Sequence, residues 1–213
     1  MIVVVKARAN TFALNFIVAL LAIIVSWRAF LYFSAYIFLI WYYSHRIKKL
    51  LFIGNLTSAF LSVLPFFAIL LYYKNFYEVI LGHAAFLFIL LMIREMIKDL
   101  ENIKGDLAND YKTIPIIYGE VVSKKIITFL TISTIIPVYI LIEIFDVGYM
   151  DIYFYSCLII LIFFLQYLWK SNSKQQFVLL HNVLKFLIVA GVFSIVLINP
   201  TVLWHGKIIL QSI

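Results

Sequence analysis

The chain has 213 residues, of which 65% are hydrophobic and 13% are charged, and its formal net charge is +7. A soluble domain of this length cannot bury so much apolar surface, so the composition predicts an all-α integral membrane protein. The basic excess does not indicate nucleic-acid binding, because Lys and Arg lie between hydrophobic segments, where they report membrane orientation. The single cysteine, Cys157, excludes an intrachain disulfide framework.

Seven apolar segments follow one another along the chain. A helix that crosses a bilayer needs about 17–25 predominantly apolar residues, and the segments reach or approach that length. We therefore predict a bundle of about seven transmembrane helices, forming a single domain that covers residues 1–213. The predicted segments are residues 11–27, 29–43, 53–73, 78–97, 121–143, 151–169 and 180–198.

Lys and Arg are distributed unequally between the two ends of these helices. With a cytoplasmic N-terminus, twelve basic residues lie on the cytoplasmic side, and only Arg28, Lys74 and Lys207 lie on the other. The positive-inside rule therefore predicts a multi-pass protein of the cell inner membrane with its N-terminus inside. The charged stretch after the fourth segment is then cytoplasmic as well.

That stretch is REMIKDLENIKGDLANDYKTIP, residues 94–115. On a continuous helix, Glu95, Asp99, Asn102 and Asp106 are spaced by four, three and four residues and share one narrow face, which we call the acidic stripe. Like charges at this spacing repel each other, and limited water at a membrane edge increases the cost. Carboxylate and amide oxygens suit Mg²⁺, which often binds one or two carboxylates together with phosphate oxygens.

Spacing alone leaves two interpretations open. In the first, the stretch is a solvated loop in which Lys98 and Lys104 pair with Glu101 and Asp99. In the second, the acidic stripe binds Mg²⁺ and a diphosphate, and basic side chains of the loop SHRIKKL, residues 44–50, supply further positive charge.

Two separated motifs resemble the UbiA superfamily of intramembrane prenyltransferases. The stretch REMIKDLENIKGDLANDYKTIPIIYG, residues 94–119, looks like the second aspartate-rich motif of that family. It is most similar to the branch that includes geranylgeranylglycerol-phosphate geranylgeranyltransferases. The stretch YYSHRIKKLLFIGN, residues 42–55, is similar to the loop between the family's fourth and fifth helices. The resemblance extends from about residue 10 to residue 198.

The resemblance implies nine helices around a cavity, where two aspartate-rich loops hold Mg²⁺ and an isoprenyl diphosphate. It implies transfer of the prenyl group to a lipid or aromatic acceptor, among membrane lipids and without a nucleic-acid partner. Asp99 and Asp106 would be the catalytic residues. The implied metal ligands are Asp99, Asn102, Asp106 and Glu95, and the candidates for diphosphate binding are Lys48, Lys49, Arg94 and Lys112.

Two departures from the family pattern bear on activity. Asn102 stands where the family has an aspartate, and no Asn-Asp-x-x-Asp motif occurs in the 213 residues. The match opens at the family's third helix, which predicts seven helices instead of nine in an N-terminally truncated domain. The chain is then either a piece of a working enzyme or an inactive short paralogue that binds isoprenoid lipid or a membrane partner. For the isolated chain we expect weak or no transferase activity.

Overall fold

The computed structural model describes residues 2–73 and 77–197, and within these ranges the chain forms helices and no strand. The prediction of an all-α fold is confirmed. The chain divides into two compact units, residues 1–48 and 49–213, which are described separately below. A single domain over the whole chain stays a prediction. Residues 74 and 207, used to predict the orientation, and residue 198, at the end of the last predicted segment, lie outside the described residues.

The first unit consists of two helices that contact each other, α1 (Ile2–Val25) and α2 (Trp27–His45). Ser26 separates them, because its backbone is extended. Its hydroxyl accepts a hydrogen bond from the Ala29 amide at 3.1 Å and so satisfies one of the free N–H groups at the start of α2.

The second unit is a helical bundle with one main apolar core, and its first long helix packs against the central helix in a second, smaller apolar cluster. A short 3₁₀ turn, Ile47–Lys49, precedes it, and further 3₁₀ turns lie at Gly148–Met150 and Ile195–Leu197. The helices of this unit are α3 (Ile53–Tyr73), α4 (Glu78–Glu101), α5 (Ile103–Ala108), α6 (Ile114–Ser133), α7 (Ile135–Tyr139), α8 (Asp151–Lys170) and α9 (Lys174–Ser194).

Helix α4 is the central element of the second unit, and it packs against α3, α6 and α9. Its run FLFILLMI, residues 86–93, is apolar on every side of the helix, which is the pattern of a helix surrounded by others. Leu90, Ile93 and Met96 are almost completely buried. The charged end of α4 is therefore held in place by a rigid, well-packed helix.

Helix α6 begins at Ile114, with Thr113 at its N-cap and Pro115 in its first turn, where the missing proline N–H removes no helical hydrogen bond. Gly119 interrupts the regular helix with a φ of 85°, a conformation that favours glycine. After α7, a π-helical turn at Ile140–Ile144 extends the helical stretch to residue 144. The kink at Gly119 lies just before the predicted segment 121–143, so that segment corresponds to the part of the helical stretch after the kink, and the KTIP sequence begins a short helical piece before it.

Four helical stretches in the described part of the chain are long and apolar enough to cross a membrane: Glu78–Glu101, Ile114–Ile144, Gly148–Lys170 and Lys174–Ser194. These correspond to the last four predicted segments. Shorter apolar stretches, Leu14–Val25 and Ile53–Ala68, lie in α1 and α3. A helical membrane bundle is thus confirmed, whereas the number of seven spans stays a prediction.

Candidate functional site

Asn102 divides the predicted acidic stripe between two helices. It ends α4 and precedes α5, with φ −111° and ψ 18°, and its N–H contacts the carbonyls of Lys98 and Asp99. The helical pattern resumes at once, because the Asp106 N–H donates to the Asn102 carbonyl at 2.9 Å. The prediction of a continuous helix through this stretch is therefore wrong at Asn102. Asparagine readily leaves the helical conformation, since its side chain competes with the backbone for hydrogen bonds.

Asp99 receives a hydrogen bond from the other family-like motif. The Asn55 side-chain amide, at the buried start of α3, donates to Asp99 Oδ2 at 2.7 Å. The carboxylates of Asp106 and Glu95 lie close enough to repel the charge of Asp99, while Lys98 attracts it. The structure therefore brings Asp99, Asp106 and Glu95 into one electrostatic neighbourhood, as the spacing predicted.

Glu95 is buried and lies beside two cations. Lys98 Nζ is 3.0 Å from Glu95 Oε2, and Arg94 Nη1 is 3.9 Å from Glu95 Oε1. In the solvated-loop interpretation, by contrast, lysines pair with Asp99 and Glu101. In the structure, the Asn55 amide donates to Asp99, and His181 of α9 lies within hydrogen-bonding distance of Glu101.

His181 links the two ends of the charged segment of α4. Arg94 Nε donates to His181 Nε2 at 3.2 Å, and His181 Nδ1 lies 3.0 Å from Glu101 Oε2. Sequence reasoning did not find this contact, because His181 lies 80 residues after Glu101. The sequence did indicate that Arg94 and Glu101 lie on one face of α4, because they are seven residues apart.

The basic candidates divide between the two units. The Lys112 N–H donates to the Lys49 carbonyl at 3.3 Å, which places the stretch of residues 42–55 beside the stretch of residues 94–119. Both lysine side chains are exposed. Arg94 lies beside Glu95, as described. Lys48 belongs to the first unit. Lys49, Lys112 and Arg94 thus all lie in the unit that carries the acidic stripe.

The side-chain oxygens near Asp99 would provide only some of the ligands that a bound Mg²⁺ ion needs. Within residues 2–73 and 77–197, no group of three or more His, Cys, Asp or Glu side chains is placed to hold a metal ion. Mg²⁺, however, is commonly bound by one or two carboxylates, with substrate phosphates and water completing its octahedron. Asp99 and Asp106, whose charges repel each other, are two carboxylates of the kind that this smaller requirement calls for.

An apolar cavity of about 90 Å³ lies in the other half of the second unit. It is lined mainly by aromatic and aliphatic side chains, including Phe66, Phe86, Leu90 and Phe154. His83 also lines it and precedes Asp99 by 16 residues on α4, which corresponds to about 24 Å along a helix axis. The bundle therefore contains an apolar space at a distance from the charged end of α4.

Comparison with known proteins identifies relatives with similar sequences. The chain is 26% identical over 178 residues to the digeranylgeranylglyceryl phosphate synthase of Sulfurisphaera tokodaii, covering 80% of this chain and 63% of that protein. It is 34% identical over 148 residues to the synthase of Methanosphaera stadtmanae, covering 68% and 52%. For the synthase of Thermococcus sibiricus, the identity is 32% over 129 residues, covering 58% and 44%. The chain thus spans about half the length of these relatives.

A solved structure from work on digeranylgeranylglyceryl phosphate synthase in membranes has the same fold, with a TM-score of 0.67. It is 22% identical and is matched over 91% of this chain and 69% of its own. The model of the UbiA prenyltransferase family matches residues 2–186. With its apolar helices, the protein is an integral, multi-pass membrane protein. The chain belongs to the UbiA prenyltransferase family.

Proposed function

We propose that this chain carries the second aspartate-rich part of a Mg²⁺-dependent site for intramembrane prenyl transfer. The observation that carries the proposal is the 2.7 Å hydrogen bond between Asn55 and Asp99, because it joins the two family-like motifs at one place. The backbone contact between Lys49 and Lys112 joins the same two motifs a second time. These two contacts support a site in which acidic groups would hold a metal ion and basic groups of the same two motifs would attract a diphosphate.

The proposed reaction breaks the bond between the allylic carbon of an isoprenyl diphosphate and its bridging oxygen, and the diphosphate leaves with the bonding electrons. The acceptor nucleophile forms the new bond to carbon and loses its proton. When bound, Mg²⁺ supplies positive charge that stabilises the leaving diphosphate. Asp99, Asn102 and Asp106 would hold the ion, with support from Glu95.

Basic side chains would bind the diphosphate, and the apolar interior would hold the prenyl chain. Lys49, Lys112 and Arg94 would attract the diphosphate, and we assign Lys48 to the same role from its motif. Apolar side chains around the cavity near Phe86 would accept part of the prenyl chain and keep water from the reactive carbon.

The names of the relatives favour a glyceryl phosphate lipid as the acceptor. An aromatic acceptor is the alternative within the same chemistry.

A second candidate is a chain that binds isoprenoid lipid or a membrane partner without turnover. The observation that favours it is that the 213 residues contain no Asn-Asp-x-x-Asp motif, so the acidic ligands described here come from one motif only. In both candidates, the positive-inside distribution supports an inner-membrane protein whose acidic stripe faces the cytoplasm.

Binding of geranylgeranyl diphosphate to the purified chain in detergent tests the proposal. We expect binding that requires Mg²⁺, disappears with a chelator and weakens by at least about tenfold in Asp106→Ala, because a carboxylate ligand is lost. Glu143→Ala is the matched control, since Glu143 is an exposed carboxylate on the π-helical turn after α7. Binding that is independent of Mg²⁺, or unchanged in Asp106→Ala, would contradict the proposal.

An assay of prenyl transfer distinguishes an active enzyme from a chain that only binds isoprenoid lipid or a membrane partner. Prenyl transfer to a glyceryl phosphate lipid by the 213-residue chain would establish the enzyme. Mg²⁺-dependent binding with no product would favour the second candidate for this chain and leave the diphosphate-binding role intact.

A further inference from the structure

The side chains of Arg94, His181 and Glu101 form a connected polar network between α4 and α9. The distances are 3.2 Å from Arg94 Nε to His181 Nε2 and 3.0 Å from His181 Nδ1 to Glu101 Oε2. The histidine and glutamate side chains are largely buried, with 12% and 18% of their surfaces exposed. Hydrogen bonds to charged groups in such surroundings hold side chains in one arrangement.

The donor and acceptor roles in this network follow from the chemistry of arginine. The Arg94 guanidinium can only donate, so His181 Nε2 must accept and therefore carries no proton. The imidazole proton is then on Nδ1, where it donates to the Glu101 carboxylate. In this tautomer, His181 is oriented by Glu101 on one side and accepts the hydrogen bond of Arg94 on the other.

The other end of the Arg94 guanidinium points toward the acidic stripe. Its Nη1 lies 3.9 Å from Glu95 Oε1, whereas its Nε is directed to His181. The guanidinium thus lies between His181 of α9 and the Glu95 carboxylate, and its one hydrogen bond to α9 is made through Nε. A planar, fixed guanidinium is well suited to bind phosphate oxygens through its Nη groups.

We infer that His181 is a positioning residue, which fixes Arg94 through Nε so that its guanidinium can bind the diphosphate of an isoprenyl diphosphate. Glu101 sets the tautomer that this role requires. The inference rests on the proposed function, because it assumes that a diphosphate binds beside the acidic stripe. It adds to that function a residue of α9, a helix that lies outside both family-like motifs.

A double-mutant cycle tests the inference on the purified chain, with Mg²⁺-dependent affinity for geranylgeranyl diphosphate as the readout. The single variants are His181→Phe, which keeps an aromatic ring but removes both nitrogens, and Arg94→Met, which removes the guanidinium. We expect His181→Phe to weaken binding by about tenfold, as expected for a lost hydrogen bond to a charged group. In the Arg94→Met background, His181→Phe should cause no further loss, because the histidine acts only through the arginine.

Two further variants separate positioning from a general loss of packing. His181→Gln retains a carbonyl acceptor and an N–H donor, so it should recover part of the affinity. Trp169→Phe is the matched control, since Trp169 Nε1 donates to Thr128 Oγ1 at 3.2 Å and also joins two helices, α8 and α6. It should leave the affinity unchanged. Thermal unfolding of each variant without ligand confirms that the folded chain is being compared.

Each outcome of the cycle is decisive. Loss in His181→Phe that disappears without Arg94 supports the inference. Unchanged binding in His181→Phe, or losses that simply add in the double variant, would overturn it while leaving the proposed function in place. Failure of the unsubstituted chain to bind the diphosphate at any Mg²⁺ concentration would overturn both.

Discussion

The hydrogen bond from Asn55 to Asp99 satisfies a carboxylate that has two acidic neighbours. We expect Asn55→Leu to lower the free energy of unfolding by about 1–3 kcal/mol, because Asp99 would lose its 2.7 Å donor in a largely buried position. Thermal unfolding in detergent measures the change. The double variant Asn55→Leu/Asp99→Leu is the control, since removing both partners should recover most of the loss. A single variant as stable as the parent chain would contradict this account.

Thr113 presents the opposite case, a buried hydroxyl without a partner. Among the residues that the structure describes, its Oγ1 makes no hydrogen bond, and only 8% of the residue is exposed. We expect Thr113→Val to raise the free energy of unfolding by about 1 kcal/mol, because it removes an unsatisfied polar atom. Thr131→Val is the control, since that buried hydroxyl donates to the Ile127 carbonyl at 2.8 Å. Stabilisation of both variants alike would contradict the explanation.

Individual site residues differ in how far the sequence could predict them. Asp99, Asp106 and Glu95 could be brought together from helical spacing, which is a local property. Their contact with Asn55 depends on the packing of α3 against α4, which spacing does not specify. His181 is far from both motifs in the sequence, and its neighbours on α9 give no indication of which distant residue it contacts.

Helix α4 shows that a helix is easier to predict than its end. The apolar run and the charged stretch after it predicted a helix from 78 to 97 that continues into residues 94–115, and α4 extends from Glu78 to Glu101. The break at Asn102 was not predicted, because Gly105 lies three residues further on and glycine disfavours a helix more strongly than asparagine does. The C-cap at Asn102 is instead stabilised by hydrogen bonds of its own N–H to two carbonyls.

Lys124 joins α6 to the turn between α8 and α9. Its Nζ donates to the Ser171 carbonyl at 2.6 Å and to Asn172 Oδ1 at 3.3 Å, and it lies 5.7 Å from the centre of the Phe177 ring. The residue is only 5% exposed. Its ammonium therefore satisfies a carbonyl just beyond the end of α8, where helical partners are no longer available.

We expect Lys124→Met to lower the free energy of unfolding by about 1–3 kcal/mol, because the Ser171 carbonyl loses a charged donor and the cation–π contact is lost. The neighbouring Lys125 is exposed and provides a matched control. Lys125→Met should change stability by less than about 0.5 kcal/mol. Equal effects of the two substitutions in thermal unfolding would show that the burial of Lys124 does not matter.

At the scale of the molecule, the outward faces of the bundle are apolar. Phe129, Phe186 and Phe193 are 69%, 67% and 72% exposed, and each lies on a different side of its helix from the core residues. Large exposed apolar surfaces of this kind require a covering, and lipid provides it. Composition predicted this environment correctly, because it depends on residue types rather than on which helices pack together.

The self-repelling carboxylates of the acidic stripe make the stability of the whole chain a function of cation concentration. A ligand that binds only the folded state raises the free energy of unfolding by RT ln(1 + [L]/Kd), about 2.7 kcal/mol when its concentration is 100 times its dissociation constant. We therefore expect Mg²⁺ to raise the melting temperature of the chain even without a prenyl substrate, and chelation to reverse the change. The increase should be absent in Asp106→Ala and retained in Glu143→Ala, and an equal increase in both would assign it to general screening of charge. In this account the Asp99 and Asp106 carboxylates repel each other across the junction of α4 and α5, and a bound cation would relieve that repulsion and so stabilise the fold itself.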